Sequence, residues 1–412
     1  MTPENQDHTR AFASSTLYQD LFGDAETAAL FSEASEIRSM LQVEAALAKV
    51  QGVLRLVPPK AADFLMRACH EAQLDPASLA RKTAVNGVPV PALLAELHAA
   101  YPAPEHMQYL HPGATSKDIM DTALALRLTS TVDLWQNRFD ALIRGLGQLA
   151  APHADLPMAA GTYGQIATPT SFGAVAASWG RALPTHRAAL ESVRAAVLAG
   201  TLSAMVPKGP QVRAELAEAL GSVDPGHSWH AEREGIATLA GWMAGLFGSL
   251  GQLGKDLLIL TQSGLAQVHL TGSGGSSTMP QKCNPIGPSV LVALARHGIG
   301  LAASLQGAAL HRHQRDGASW FTECLPLPAL CTSLALTLSL DIVDGIMPDH
   351  AAMAHRMNDS NGLIHAEALA FVLAQQMPRP EAQARIKALC QEVEATGSPL
   401  PTRLARDFPD TD

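Results

Sequence analysis

The sequence predicts an all-α protein built around a long central helical bundle, and three observations carry that expectation. Apolar residues recur at three- and four-residue intervals through most of the chain, the mark of amphipathic helices. No stretch alternates apolar and polar residues for long enough to make a convincing strand, and no strand–turn–helix rhythm occurs. Residues 156–180 and 235–254 carry no charge, and a helix that is apolar all round belongs inside a large assembly or a membrane. Composition agrees. Of 412 residues, 47% are hydrophobic and only 16% charged, against about 25% in an average soluble protein, so the chain can bury a large core and is not disordered.

The elements follow in chain order. Residues 26–52 place apolar residues at helical spacing with few β-branched runs, predicting a helix. Pro58, Pro59, Pro89, Pro91, Pro102 and Pro104 divide the chain up to about residue 110 into short helices and turns. Residues 118–150 sustain a helical pattern for about nine turns. Further helices are expected over 172–199, 229–268, 286–312 and 327–346. After Pro348 charged residues return, as in PRPEAQARIKALCQEVEATG. Three domains are expected: an N-terminal helical domain (1–110), a central long-helix bundle (111–346) and a small C-terminal helical domain (347–412).

Several function classes are excluded at this level. A net charge of −9 and a pI near 6.0 leave no basic face for nucleic acid or an anionic membrane surface. The uncharged stretches are poor membrane spans: 156–180 holds Pro157, Pro169, Gln165 and four glycines, and 235–254 holds six glycines and Gln252. Burial in an oligomer whose central helices never meet water is the reading adopted. MTPENQDHTR carries no apolar run and does not resemble a secretory signal. The five cysteines (Cys69, Cys283, Cys324, Cys331, Cys390) show no CxxC spacing, which fits a reducing cytoplasm and provides neither a disulfide framework nor a metal site.

Three segments interrupt the helical pattern with small hydroxyl residues and glycines, each just before a helix: HPGATSKDIMDTA (111–123), GTYGQIATPTSFG (161–173) and TGSGGSSTMPQKCNP (271–285). Thr115 or Ser116 suits an N-cap, with Asp118 in the first turn. Hydroxyls and free N–H groups at a helix start can hold an anion, and three such places suggest a ligand with several carboxylates or phosphates. The third segment is not a phosphate loop, because Lys282 is followed by Cys283 rather than Ser or Thr, and it does not complete GxGxxG.

Gly275 to Pro285 (GSSTMPQKCNP) resembles the GSSxMPxKxNP signature of the fumarase/aspartase superfamily, and the other two segments resemble that superfamily's remaining motifs in order: Thr115, Ser116 and Asp118, then Thr162 to Pro169. The closer resemblance, carried by LPMAAGTYGQIATPTSFG, SWHAEREGIA and HQRDGASWFTECLPLP, is to the 3-carboxy-cis,cis-muconate cycloisomerases within it. The resemblance implies an all-helical homotetramer with a three-domain, fumarase/aspartase-like fold. It implies active sites shared between subunits, a small polycarboxylate substrate, and no metal or cofactor. It makes Ser276 the base at carbon, with Lys282 and Asn284 stabilising the anion and the carboxylate that accumulates charge. Substrate contacts are expected from His111, Thr115, Ser116, Thr162, Tyr163, Gln165, Thr168, Ser277, Met279, Arg315 and Trp320.

Two departures from the superfamily pattern bear on the reaction. Tyr163 stands where many superfamily lyases have a histidine that protonates a strongly basic leaving group. In a lactonisation the group that adds or leaves is the substrate's own carboxylate, with a pKa of roughly 4, which departs unprotonated. Gly161 stands where the motif usually has an arginine suited to a substrate carboxylate; His111, Lys117, His313 and Arg315 are the cations that could replace it. Two alternatives stay open: a lyase of adenylosuccinate or argininosuccinate type, and a non-catalytic structural relative.

Overall fold

A computed structural model describes residues 17–198, 207–227, 232–272, 274, 275, 278–307 and 325–408. Helices dominate these residues, as the periodicity predicts. Five of them have 19 or more residues: Glu33–Val53 (21), Ser116–Ala150 (35), Glu234–Leu260 (27), Ile286–Gln306 (21) and Pro326–Asp344 (19). The chain divides into two compact units, 1–140 with 183–249 and 293–337, and 141–182 with 250–292 and 338–412.

In the first unit, Glu33–Val53 packs against Pro59–Glu71. Ile37, Met40, Leu41, Val43, Leu65 and Leu93 share a core there with Ile119 and Ala123 from the longest helix. The helix expected over 26–52 is in fact two, Ala25–Leu30 and Glu33–Val53. Ser32 explains the break: its hydroxyl accepts the Ser35 N–H at 3.2 Å and caps the second helix. Later in the same unit, Gly298 lets Ile286–Gln306 approach Glu234–Leu260 closely, since a Cβ at 298 would lie 2.3 Å from the Phe247 ring.

The second unit contains strands that the period-2 test did not find. Pro157–Thr162 and Gln165–Ser171 form an antiparallel hairpin, Val268–Leu270 pairs with Ile346–Pro348, and Gly274–Gly275 pairs with Cys283–Asn284. The hairpin lacks alternation because its strands leave nearly all residues exposed or half-buried and bury only Met158 and Ala159, which lie on the strand that packs on the His350–Asn358 helix. The single helix expected over 172–199 is Phe172–Gly180 followed by Leu183–Leu198. Pro184 accounts for the gap, because a continuous helix would press its ring against the Gly180 carbonyl. Leu373, Ile386, Leu389, Val393, Leu400 and Leu404 form a separate apolar cluster near the C-terminus.

Glu234–Leu260, Ile286–Gln306 and Pro326–Asp344 are long and apolar enough to cross a membrane by length and composition. Their apolar windows are 44%, 39% and 61% buried. Taken together, most of the apolar side chains on the first two are buried, but Ile259 on the first and Ile286 and Ile299 on the second are exposed.

Candidate active site

The first signature segment opens the longest helix. Thr115 is its N-cap: the Asp118 N–H donates to Thr115 Oγ1 (3.4 Å) and the Thr115 N–H donates to Asp118 Oδ2 (2.7 Å), a reciprocal capping box. That N–H is thus used within the chain. Positive φ at His111 (60°) and Gly113 (74°) bends the backbone into the helix, and Gln51 Nε2 holds the bend by donating to the Pro112 carbonyl at 2.8 Å.

Behind this bend His111 Nδ1 lies 2.5 Å from Glu44 Oε1. Glu44 is 1% exposed. Burial alone would lower the His111 pKa. The Glu44 hydrogen bond, with the charges of Glu44 and Asp118, outweighs burial and raises it. One turn into the helix, Asp121 takes Lys117 Nζ at 3.1 Å and Arg233 Nη2 at 2.7 Å. Lys117, a candidate cation for the substrate, is therefore already engaged. Its i,i+4 spacing to Asp121 is legible in the sequence; Arg233 and Glu44 are distant in sequence and give no such signal.

The second segment is the hairpin itself. Tyr163 (φ 51°) and Gly164 (φ 77°) form its two-residue turn, with Thr162 paired to Gln165. Positive φ at both turn positions is the type I′ pattern, which usually takes Asn-Gly; Tyr-Gly hid it in the sequence. Tyr163 projects fully into solvent at 104% exposure, and Thr162 and Gln165 are exposed beside it. Between the pairs Ala159–Pro169 and Gly161–Ile166, Ala167 and Thr168 oppose the single residue Ala160. The bulge falls directly beside the Ala159–Pro169 pair, an interruption of the ladder at which a residue without an N–H is tolerated.

The third segment is a loop closed at its base by the pairs Gly274–Asn284 and Gly275–Cys283. Within it the Lys282 N–H donates to the Met279 carbonyl at 3.0 Å. Lys282 and Met279 are exposed, Asn284 is half-buried, and the Ile286–Gln306 helix starts directly after Pro285. Ser276, Ser277, His313, Arg315 and Trp320 lie outside the described residues.

An open cavity of about 620 Å³ lies against the hairpin in the second unit, lined by Gly161, Tyr163, Gln165 and Gln267 together with Arg181 and Arg356. Met279, Lys282 and Asn284 are not among its lining residues. His111, Thr115 and Ser116 belong to the first unit. Arg181 is the first charge after the uncharged stretch, and Arg356 lies in the C-terminal region; neither was singled out from sequence.

A lyase family pattern matches residues 27–300. The chain is 35% identical to the 3-carboxy-cis,cis-muconate cycloisomerase of Pseudomonas putida over 381 residues, covering 89% of this chain and 90% of that protein. It is 34% identical to the enzyme of the same name from Pseudomonas aeruginosa over 390 residues, covering 91% and 85%. Among solved structures, the 3-carboxy-cis,cis-muconate lactonizing enzyme from Pseudomonas putida superposes with a TM-score of 0.90 at 33% identity, covering 96% of this chain and 92% of that one.

Proposed function

The chain belongs to the fumarase/aspartase lyase family, and from that membership we propose that it interconverts 3-carboxy-cis,cis-muconate and a carboxymuconolactone. It is then an isomerase of the intramolecular-lyase type, acting in aromatic-compound degradation. Similarity to cycloisomerases along nearly the whole of both chains supports this reading, and Tyr163 carries the choice within the superfamily. A tyrosine at the hairpin tip suits a reaction whose leaving group is a carboxylate, which needs no general acid.

In the lactone-forming direction, one substrate carboxylate oxygen adds across a carbon–carbon double bond. Charge collects at the neighbouring carbon and spreads onto the carboxylate attached to it, until that carbon takes a proton. Ser276 is the group we assign to that proton, delivering it here and removing it in the reverse direction. A serine hydroxyl is a weak base, so Lys282 and nearby N–H donors must stabilise its anion, while Asn284 and Lys282 hold the charged carboxylate. His111, Thr115, Ser116, Thr162, Tyr163, Gln165, Thr168, Ser277, Met279, Arg315 and Trp320 bind the substrate. Addition and proton transfer are redox-neutral, and the reading includes no cofactor.

The working unit in this proposal is a cytoplasmic homotetramer with active sites completed between subunits, acting in protocatechuate breakdown by the β-ketoadipate route. Domain boundaries near 110 and 346 belong to the same proposal. Two features support the assembly: the exposed Ile259, Ile286 and Ile299 on the long apolar helices, and signature residues such as Thr162, Tyr163 and Lys282 that face solvent in a single chain. Light scattering should show a tetramer; a stable, active monomer near 43.3 kDa would overturn it. For the reaction, the test is loss of muconate ultraviolet absorbance on mixing substrate with purified protein. Turnover of adenylosuccinate or argininosuccinate instead of the muconate would replace the proposal with the lyase alternative.

A further inference from the structure

Glu44 is absent from the sequence-derived set of functional residues, yet it makes the closest polar contact in the first signature segment. It sits on Glu33–Val53, 67 positions before His111, and is 1% exposed. A carboxylate so deeply buried needs a compensating partner. Here that partner is His111 Nδ1, 2.5 Å from Glu44 Oε1, while Glu44 Oε2 has no hydrogen-bond partner among the described residues. The contact fixes which face of the imidazole is presented. With Nδ1–H committed to Glu44, Nε2 is left as the edge that can donate elsewhere, and the side chain retains 16% exposure through which to do so. The backbone fixes the ring's base as well, since His111 holds φ 60° in the bend secured by Gln51.

We propose that Glu44 is a positioning residue for substrate binding: through Nδ1 it holds His111 as a protonated imidazolium whose Nε2–H is aimed at a substrate carboxylate. The inference rests on the proposed function and deepens it by naming what replaces part of the positive charge lost with Gly161 in place of arginine. Three other groups bear on this proton. Asp118, from the longest helix, acts on His111 directly and favours the charged form. Cys69, on Pro59–Glu71, faces Glu44, and burial together with the Glu44 charge pushes its thiol up to about 12, so it stays neutral and does not compete. Gln51 is uncharged and donates to Pro112 rather than to the ring.

The sign follows directly. His111 is charged below its raised pKa, so KM is low there and climbs as pH rises through that value. Glu44→Gln removes the carboxylate that raises the pKa, so the climb should move to lower pH, and between the two transitions KM should increase by up to about tenfold with kcat largely retained, as expected for a lost charge-assisted contact. Glu44→Asp keeps the charge and should restore much of the wild-type pH profile. Adding Glu44→Gln to His111→Gln should change KM little further, because Glu44 acts through His111. Titration of the His111 ring by NMR in the intact protein reads the same pair without any substrate. A lower His111 pKa in Glu44→Gln, with the KM shift, supports the proposal. An unchanged His111 pKa, or an undiminished effect of Glu44→Gln in the His111→Gln background, overturns it. Should the wild-type protein fail to turn over the muconate while the NMR shift is present, the reaction assignment fails and the Glu44–His111 pairing stands.

Discussion

The start of the longest helix and the tip of the hairpin both carry signature residues, but they are held in opposite ways. At the helix start Thr115 and Asp118 cap one another, Glu44 holds His111, and Asp121 gathers Lys117 and Arg233 in a buried cluster. At the hairpin Thr162, Tyr163 and Gln165 face solvent, shaped by backbone pairing and turn geometry alone. The first region is fixed by its own side chains and has to satisfy each charge that it buries. The second fixes only the backbone and offers its side chains outward. Loss of a buried charge partner in the first should therefore cost stability, with the Glu44–His111 pair acting on binding as well, whereas substitutions in the second should act mainly through activity.

The sharpest break of that contrast is Asp121→Ala. It leaves Arg233 and Lys117 without their shared carboxylate in a buried setting and should cost about 3–5 kcal/mol of stability. Thermal melting checks this; a loss below about 1 kcal/mol would mean that water or another group compensates the cations. Next in size, Ser276→Ala should lower kcat by ~10² or more with an unchanged melting temperature, as expected for a proton-transfer group. Near-native turnover would remove Ser276 from the mechanism.

Gly161→Arg probes the hairpin more finely. A Cβ at 161 would meet only the Gln165 carbonyl oxygen, at an ordinary 3.5 Å, so the backbone admits the side chain and the melting temperature should hold. If position 161 faces the substrate, the restored cation should lower KM by roughly tenfold to a hundredfold, corresponding to about 1.5–3 kcal/mol. An unchanged KM would place the position away from the substrate. The smallest expected effect is at the turn. Tyr163 holds φ 51° with its side chain in solvent, so Tyr163→Asn should leave stability equal or raise it by up to about 1 kcal/mol, since asparagine tolerates this conformation better. A KM increase in that same variant would separate binding from folding at one residue. Loss of stability would instead show that the tyrosine packs against a neighbouring copy.

Prolines and hydroxyl residues mark helix ends well. The Thr115 cap and the helix after Pro285 were legible because both depend on near neighbours in sequence. Two more signals of the same kind, Ser32 before Glu33 and Pro184 near the start of Leu183–Leu198, account for helix breaks that periodicity alone ran through. The hairpin escaped for a different reason: it buries too few residues to alternate, and Tyr-Gly is an unusual pair for its turn.

Sequence by itself determined the helical class, the family, and the short-range devices that begin and end helices, because periodicity, motif spacing and capping are properties of neighbouring residues. Tertiary structure alone decided which charges are already taken. Glu44 is 67 positions from His111, and Arg233 is 112 from Asp121. Such partners are chosen by packing, which excludes water from both groups and leaves each charge dependent on the other.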